Sequence, residues 1–573
     1  MATGQQSPRY VPPVDDERPT PEAVVNRATT HIADRVDTTG ASGVVVGLSG
    51  GIDSATTAAL AVEALGANAV TALVMPTATT SDADVEDARR YAEALGIRCD
   101  TVSLTEAMDV FKRYVAPQVA PAGDEYAAGN LAARLRMCCL YAVADATDSL
   151  VVGTSNRTER LLGYFTKYGD GAGDLFPLSE YDKTTVRRVA RHVGVPDSIV
   201  EKRPTAGFWE GQTDEAELGA SYAALDHVLR EAVDHGRDPT TAVGSTDTVS
   251  VAPEMAARQL RRVDASEHKR QTPPTPERMP GLAHVGISAE SSTAETDADA
   301  AQRLLVCAQP FVREYVESTD ASGLVVTLDG SVESSVAAAV AARAVGPERV
   351  HGLHLPCYKR PRSDGVDPET IAETLGIEFD RVNVRPLVSE LEGVLPTRVQ
   401  TSTDVAGSCA LVARVRLACA YYVANTTSSL VVGTLTRTDH HLGTFTPFGD
   451  AIGDVHPLGA HYRSEVERAA NGLDIPSPAS EQSVSLDINA ESDTGVPEQS
   501  SHHSGSERDA ILEWLIDRDG GVTRTAAAVG VDDSLVSEYA RHHAERRDGT
   551  RIAPTPPSET DRGYFYDLEL KFE

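Results

Sequence analysis

Gly47, Leu48, Ser49, Gly50, Gly51, Ile52, Asp53 and Ser54 form the stretch of this chain whose residue types and spacing best suit chemistry on a charged ligand. Two adjacent glycines let backbone approach a ligand closely. The run opens onto an Ala/Leu-rich helical pattern over 54–65. A helix N-terminus offers free N–H groups and the positive end of a dipole, which together favour phosphate. Ser49 and Ser54 add hydroxyls. Asp53 is an acid beside an anion site, and it makes sense as a ligand of the Mg²⁺ that accompanies a polyphosphate. A tight strand-to-helix turn would account for the glycines but not for Asp53. No GxxxxGK[ST] is present, so this is not the ordinary P-loop.

The elements that must position this loop are legible around it. Residues 44–48 are a continuous β-branched run, as in a strand buried on both faces. Further strands are expected at 68–76, 98–104 and 149–154, with a helix at 82–95. Strands alternating with helices predict α/β architecture with a doubly wound parallel sheet.

The chain contains this pattern twice. Residues 41–200 align on 321–480 at a constant offset of 280, without a gap and with 58 identities in 160 positions. Such self-similarity predicts two tandem domains. The expected organisation is a polar tail at 1–21, an active domain at 22–275, a linker at 276–299, and a degenerate domain at 300–573 with a low-complexity insert at 478–506.

SGGxDS after a buried strand resembles the pyrophosphate loop of the N-type ATP pyrophosphatases. These enzymes split ATP into AMP and pyrophosphate and use the adenylate to activate a carboxylate or carbonyl. NLAARLRM (130–137), GTSNRTERLLGYFTKYGDGAGDLFPL (153–178), KRPTAGFWEGQTDEAELGASY (202–222) and SEHKR (266–270) follow in an order and spacing that resemble the NAD synthetases. The resemblance covers about residues 22–275. It implies an adenine nucleotide alpha-hydrolase-like fold and the reaction of ATP, deamido-NAD and ammonia to NAD, AMP and pyrophosphate. ATP would be the co-substrate and Mg²⁺ the cofactor. It implies that residues 47–54 with Thr154, Lys183, Lys202 and Thr205 bind ATP, and that Asp53 and Glu159 hold Mg²⁺. It implies that Arg134, Lys167, Asp174, His268 and Lys269 bind deamido-NAD. Asp170 would lie by the acyl-transfer position, and Asp170 and Lys183 would be the catalytic residues. Relatives that use glutamine carry an amidase domain in front. Only about 40 residues precede the loop here, so free ammonia is the expected donor. Blander readings stand beside these: Arg134 pairing on its own helix, His268 as a surface histidine, Asp174 ordering its glycine-rich loop.

Lysine usage supports the same region. Arg outnumbers Lys by 45 to 7, and four of the seven lysines are Lys167, Lys183, Lys202 and Lys269. A compact point charge suits phosphate, although scattered surface lysines would also be ordinary. The net charge is −33, from 52 basic and 85 acidic residues. An acidic, Lys-poor surface fits a salt-rich cytoplasm; the alternative is an acidic chain that binds basic partners. Either way a general nucleic-acid binder is disfavoured. No apolar run approaches the roughly 20 residues of a membrane span. The N-terminus has no basic region followed by an apolar one, so a cytoplasmic location is expected. The seven cysteines show no metal-ligand spacing and read as free thiols.

The second copy departs from the pattern. Ser49 becomes Asp329, Gly51 becomes Ser331, Asp53 becomes Glu333 and Lys167 becomes Pro447, while Arg414 and Arg416 remain. This copy is expected to be catalytically silent and to serve an internal pseudo-dimer, the rival arrangement being a homodimer of whole chains. Residues 510–543 resemble a helix-turn-helix, but residues 225–270 have a similar layout, so the segment is expected to be the second copy's C-terminal piece. Two rival functions remain open: another adenylating ATP pyrophosphatase acting on a different carboxylate, and a nucleotide-sensing regulator.

Overall fold

A computed structural model describes residues 18–119, 125–209, 211–240, 251–277, 296–319, 321–357, 366–402, 405–473, 475–476 and 504–549. Most of the expected tail, linker and low-complexity insert lies outside these.

The first repeat runs α1 (Pro21–Thr39), β1 (Gly43–Gly47), α2 (Ile52–Leu65), β2 (Val70–Val74), α3 (Asp82–Leu95) and β3 (Arg98–Thr101). It continues with α4 (Glu125–Ala146), β4 (Ser149–Val152), α5 (Arg157–Leu161), α6 (Lys183–His192) and α7 (Tyr222–Leu229). The second repeat contains β5 (Gly323–Thr327), α8 (Val332–Val345), β6 (Val350–His354), β7 (Glu378–Arg381), α9 (Val405–Thr427), β8 (Ser429–Val432), α10 (Arg437–Leu442), α11 (Arg463–Gly472) and α12 (Gly505–Leu512).

The chain forms two compact units. One takes the described residues up to Ser103 and Val143–Thr272; the other takes Leu104–Ala142 and the described residues from Pro273 onward. The first unit holds a parallel sheet in the order β3-β2-β1-β4, with Val44 opposite both Val70 and Leu150. The chain winds from β1 through β2 to β3 on one side, then returns to place β4 on the other. This reversal opens a crevice between the C-terminal ends of β1 and β4, where open α/β sheets bind ligands. Val44, Val45 and Val46 are buried, as the unbroken β-branched run predicts. Val44 and Val46 pack with Val24, Ala28 and Ile32 of α1 and with Ala58, Leu60 and Ala61 of α2. The small side chains of α2 let it lie close to the sheet and aim its N-terminus at the crevice.

The second unit holds the matching parallel sheet, β7-β6-β5-β8. It also contains the 104–142 segment of the first repeat. There Arg134 stacks over Tyr421, and Arg414 stacks over Tyr141, each 4.6 Å from the ring centroid. Each residue in one pair is 280 positions from its counterpart in the other. Phe111 adds an edge-to-face contact with Tyr422, with centroids 4.7 Å apart. None of the seven cysteines forms a disulfide, and burial pushes the Cys138 thiol up to about 12. Among the described residues no helix is long and apolar enough to cross a membrane.

The helix-turn-helix-like segment is built into the second repeat. Asp509 of α12 accepts hydrogen bonds from Thr438 Oγ1 and the Ser464 backbone N–H, both at 2.8 Å. Asp226 of α7 does the same for Thr158 Oγ1 at 2.5 Å and Thr184 N–H at 2.9 Å. Arg437 pairs with Asp517 as Arg157 pairs with Asp234. One latch therefore recurs, and 505–517 is the counterpart of 222–234.

Candidate active site

The loop after β1 makes its turn at Gly50. Its φ is +76°, and a Cβ there would stand 2.4 Å from the Asp84 carbonyl oxygen, so only glycine fits. Gly51 is different. Its φ is −95°, and it stands at the N-cap of α2 with no side-chain cap. A Cβ there would meet only Ser49 Oγ, at 3.2 Å. Glycine at 51 therefore leaves the helix N–H groups open, rather than relieving the chain. Ser49 Oγ accepts from Gly51 N–H at 3.2 Å and lies 3.1 Å from Ser54 Oγ.

Beside this loop, side chains from three helices meet at Lys183. It starts α6, its side chain is only 4% exposed, and its Nζ bonds Asp53 Oδ2 at 2.5 Å and Glu159 Oε1 at 2.7 Å. Asp53 sits in the first turn of α2, and Glu159 in α5 just beyond β4. The sheet reversal thus brings together residues from three helices. Burial works against the Lys183 charge, but Asp53 and Glu159 more than offset it and raise its pKa. Burial dominates at Glu159 and lifts it to about 7, with Asp53 adding to the rise and Lys183 opposing it. Two acids share one cation, so the cluster is electron-rich and favours a further positive charge.

Sequence reasoning missed the groups that hold this cluster. Asn156 Nδ2 donates to Asp53 Oδ1 at 2.9 Å, while its Oδ1 caps α5 by accepting from Glu159 N–H at 3.1 Å. Asn-x-x-Glu before a helix is a capping pattern and could have been found. Tyr222 OH lies 3.0 Å from Glu159 Oε1 and 2.8 Å from Asp214 Oδ2. Tyr164 OH contacts Asp214 at 3.1 Å and Glu217 at 2.5 Å. Burial raises the Asp214 pKa. No local pattern marks these long-range partners.

The remaining predicted residues fall in several places. Thr154 follows β4 and is partly buried. Lys202 Nζ reaches the Gly50 carbonyl at 3.1 Å, Asp84 at 2.7 Å and Asp87 at 2.8 Å, clamping the loop to α3. Thr205 is exposed and its Oγ1 accepts from Gly207 N–H at 3.0 Å. Asp170 accepts from Thr166 N–H at 2.8 Å. Asp174 Oδ2 accepts from the Val151 N–H of β4 at 2.7 Å, so it ties the glycine-rich loop to the strand. Lys167 is buried, with Nζ 5.2 Å from the Tyr168 ring centroid. Tyr168 itself holds a φ of +59°. Lys269 Nζ donates to the carbonyls of Gly163 and Phe165 at 2.9 and 3.0 Å. His268 Nδ1 lies 3.0 Å from the Ala265 carbonyl oxygen. Arg134 belongs to the other unit, stacked on Tyr421.

Among the described residues no three His, Cys, Asp or Glu side chains form a metal cage. Two carboxylates fit Mg²⁺ nonetheless, since that ion is commonly held by one or two acids plus phosphate oxygens and water.

Known proteins give the family. A model described as NAD synthase matches residues 24–273 and again 304–546. The chain is 44% identical over 257 residues to an NH3-dependent NAD+ synthetase of Methanosarcina acetivorans, an alignment spanning 45% of this chain and 98% of that protein. It is 43% identical over 258 residues to the protein of that name from Methanocaldococcus jannaschii, spanning 45% and 97%. A solved NMN synthetase from Francisella tularensis aligns at 35% identity with a TM-score of 0.40, over 45% of this chain and 99% of that one. The two family matches cover most of the sequence, and they fall on the two repeats that carry the parallel sheets: this chain belongs to the NAD synthase family.

Proposed function

We propose that the first repeat is an ammonia-dependent NAD synthetase. The nicotinate carboxylate of deamido-NAD attacks the α-phosphorus of ATP and pyrophosphate leaves. Ammonia then attacks the acyl-adenylate carbonyl, AMP leaves, and the nitrogen sheds a proton as the amide forms. The observation that carries this reading is the Asp53–Lys183–Glu159 cluster, set beside an uncapped helix N-terminus at the sheet's reversal point. The loop N–H groups and Lys183 receive the charge that develops on the departing pyrophosphate. Asp53 and Glu159 would hold Mg²⁺, which when bound neutralises the ATP phosphates. Thr154, Lys202 and Thr205 serve the ATP side. Arg134, Lys167, Asp174, His268 and Lys269 serve deamido-NAD, and Asp170 stands at acyl transfer.

The domain limits are those read from the sequence, 22–275 and 300–573. The reciprocal Arg134–Tyr421 and Arg414–Tyr141 stacking supports an internal pseudo-dimer, in which the second repeat replaces a second subunit. The acidic, Lys-poor composition supports work in a salt-rich cytoplasm, where ATP is at hand. The test is incubation in molar KCl with ATP, Mg²⁺, deamido-NAD and ammonium. AMP and NAD should form in equal amounts. AMP formation only with some other carboxylate, and no NAD, would overturn the reading.

A further inference from the structure

The two repeats keep the same turn and both fill its first donor, Gly51 N–H on Ser49 Oγ and Ser331 N–H on Asp329 Oδ1, but they differ in the charge of that acceptor and in the helix cap. Gly330, at φ +89°, makes the turn that Gly50 makes at +76°. The first repeat leaves α2 uncapped behind Gly51. Its Ser49 and Ser54 are neutral hydroxyls, each with a proton that can turn toward an incoming anion. In the second repeat Ser331 takes the N-cap of α8, and its Oγ accepts from Ser334 N–H at 3.2 Å. Asp329 then places a carboxylate over the loop. Its Oδ1 accepts from Ser331 N–H at 3.0 Å and from Ser334 Oγ at 2.8 Å.

Burial works against the Asp329 charge. The hydrogen bonds from Ser331 and Ser334, with Arg416 nearby, still hold it below the usual carboxylate range. As an ionised acid it has no proton to give a phosphate oxygen. The neighbouring cluster is closed in the same manner. Arg463 forms ion pairs with Glu333 Oε1 and Asp439 Oδ1, both at 2.9 Å. Asp439 also accepts from Thr436 N–H at 2.9 Å and Thr436 Oγ1 at 2.6 Å, in a capping box whose N-cap is Thr436.

We infer that the phosphate loop of the second repeat is filled by its own side chains, with Asp329 in the place of a phosphate oxygen and Ser331 capping the helix, so that the chain takes up one nucleotide although it carries two copies of the site. The inference rests on the reading of the first repeat as the ATP site. Its consequence is specific: substitutions at two positions convert a ligand loop into a self-satisfied one.

The test is equilibrium dialysis of the whole chain, in molar KCl with Mg²⁺, against an ATP analogue with a non-hydrolysable α,β linkage. One analogue per chain is expected. Grafting Ser49→Asp with Gly51→Ser onto the first repeat should weaken binding at least about 100-fold while raising the melting temperature by about 2–4 °C, as a gained helix cap would. Two analogues per chain, or a grafted chain that binds like the wild type, would overturn the inference. If the wild type binds none, the ATP reading of the first repeat fails, and the graft's melting temperature decides alone: a rise supports self-filling and a fall refutes it.

Discussion

Lys183 stands between two acids, and the second repeat shows what that position tolerates. There the cation is Arg463 and the acids have exchanged lengths, Glu333 for Asp53 and Asp439 for Glu159. The longer guanidinium fits because Asp439 is shorter by a methylene and is held back by Thr436. Lys183→Met should therefore cost about 3–5 kcal/mol of stability, since it strands two buried carboxylates. It should also lower turnover by about 10²–10³-fold, through loss of positive charge at the leaving group. Calorimetry and AMP release measure the two effects. Lys183→Arg alone should lose both as well; adding Asp53→Glu and Glu159→Asp should recover much of the melting temperature but not turnover. Asp53 and Glu159 were legible because each lies in a compact local motif, whereas Lys183 lies outside those motifs and is implied by the family resemblance. Asn156 was legible as a cap and passed over. Tyr222 reaches Glu159 across 63 residues, and only the folded chain brings them together.

At the scale of elements, the helix expected at 82–95 forms with those bounds, Ser81 capping it and Gly96 ending it in the left-handed region. The strand expected at 68–76 forms only over Val70–Val74. Its limits are set by the partner ladder, which runs from Val44↔Val70 to Gly47↔Leu73, and not by its own apolar run. For the same reason 98–104 shortens to Arg98–Thr101. The 510–543 segment carried a misleading local pattern, and the reading that preferred a repeat piece rested on layout alone. What identifies it physically is the Asp509 latch onto Thr438 and Ser464. Asp509→Asn should cost the chain about 1–3 kcal/mol in a urea titration, because one buried acceptor becomes a mismatched donor. NAD formation under native conditions should stay within about two-fold, since the first repeat has its own latch at Asp226; the 1–3 kcal/mol loss is the readout.

For the whole molecule, charge was legible and titration was not. The net charge of −33 is read directly from composition. The acid sensitivity of the second repeat depends on packing. His441 is buried beside Arg437, Asp517 and His543, and desolvation lowers its pKa, with Asp517 opposing the shift. The unfolded chain takes up a proton at His441 below about pH 6.5, whereas the folded chain resists until a lower pH. Its contribution is therefore intact above about pH 6.5 and is lost as pH falls below that value. Melting curves at pH 7, 6 and 5 in constant salt should show the loss. His441→Gln should flatten it, and an unchanged slope in that variant would exclude His441 as a source.

The proposed asymmetry is that the first repeat does the chemistry and the second does not. Asp53→Asn and Glu333→Gln change matching carboxylates at the start of α2 and α8. The direct measurement is NAD formation by each variant in molar KCl with ATP, Mg²⁺, deamido-NAD and ammonium, on chains shown by their melting curves to be folded. Asp53→Asn should lose turnover by at least about 10²-fold, and Glu333→Gln should keep it near wild type. Loss of turnover in folded Glu333→Gln, or its survival in Asp53→Asn, would contradict the assignment of activity to the first repeat.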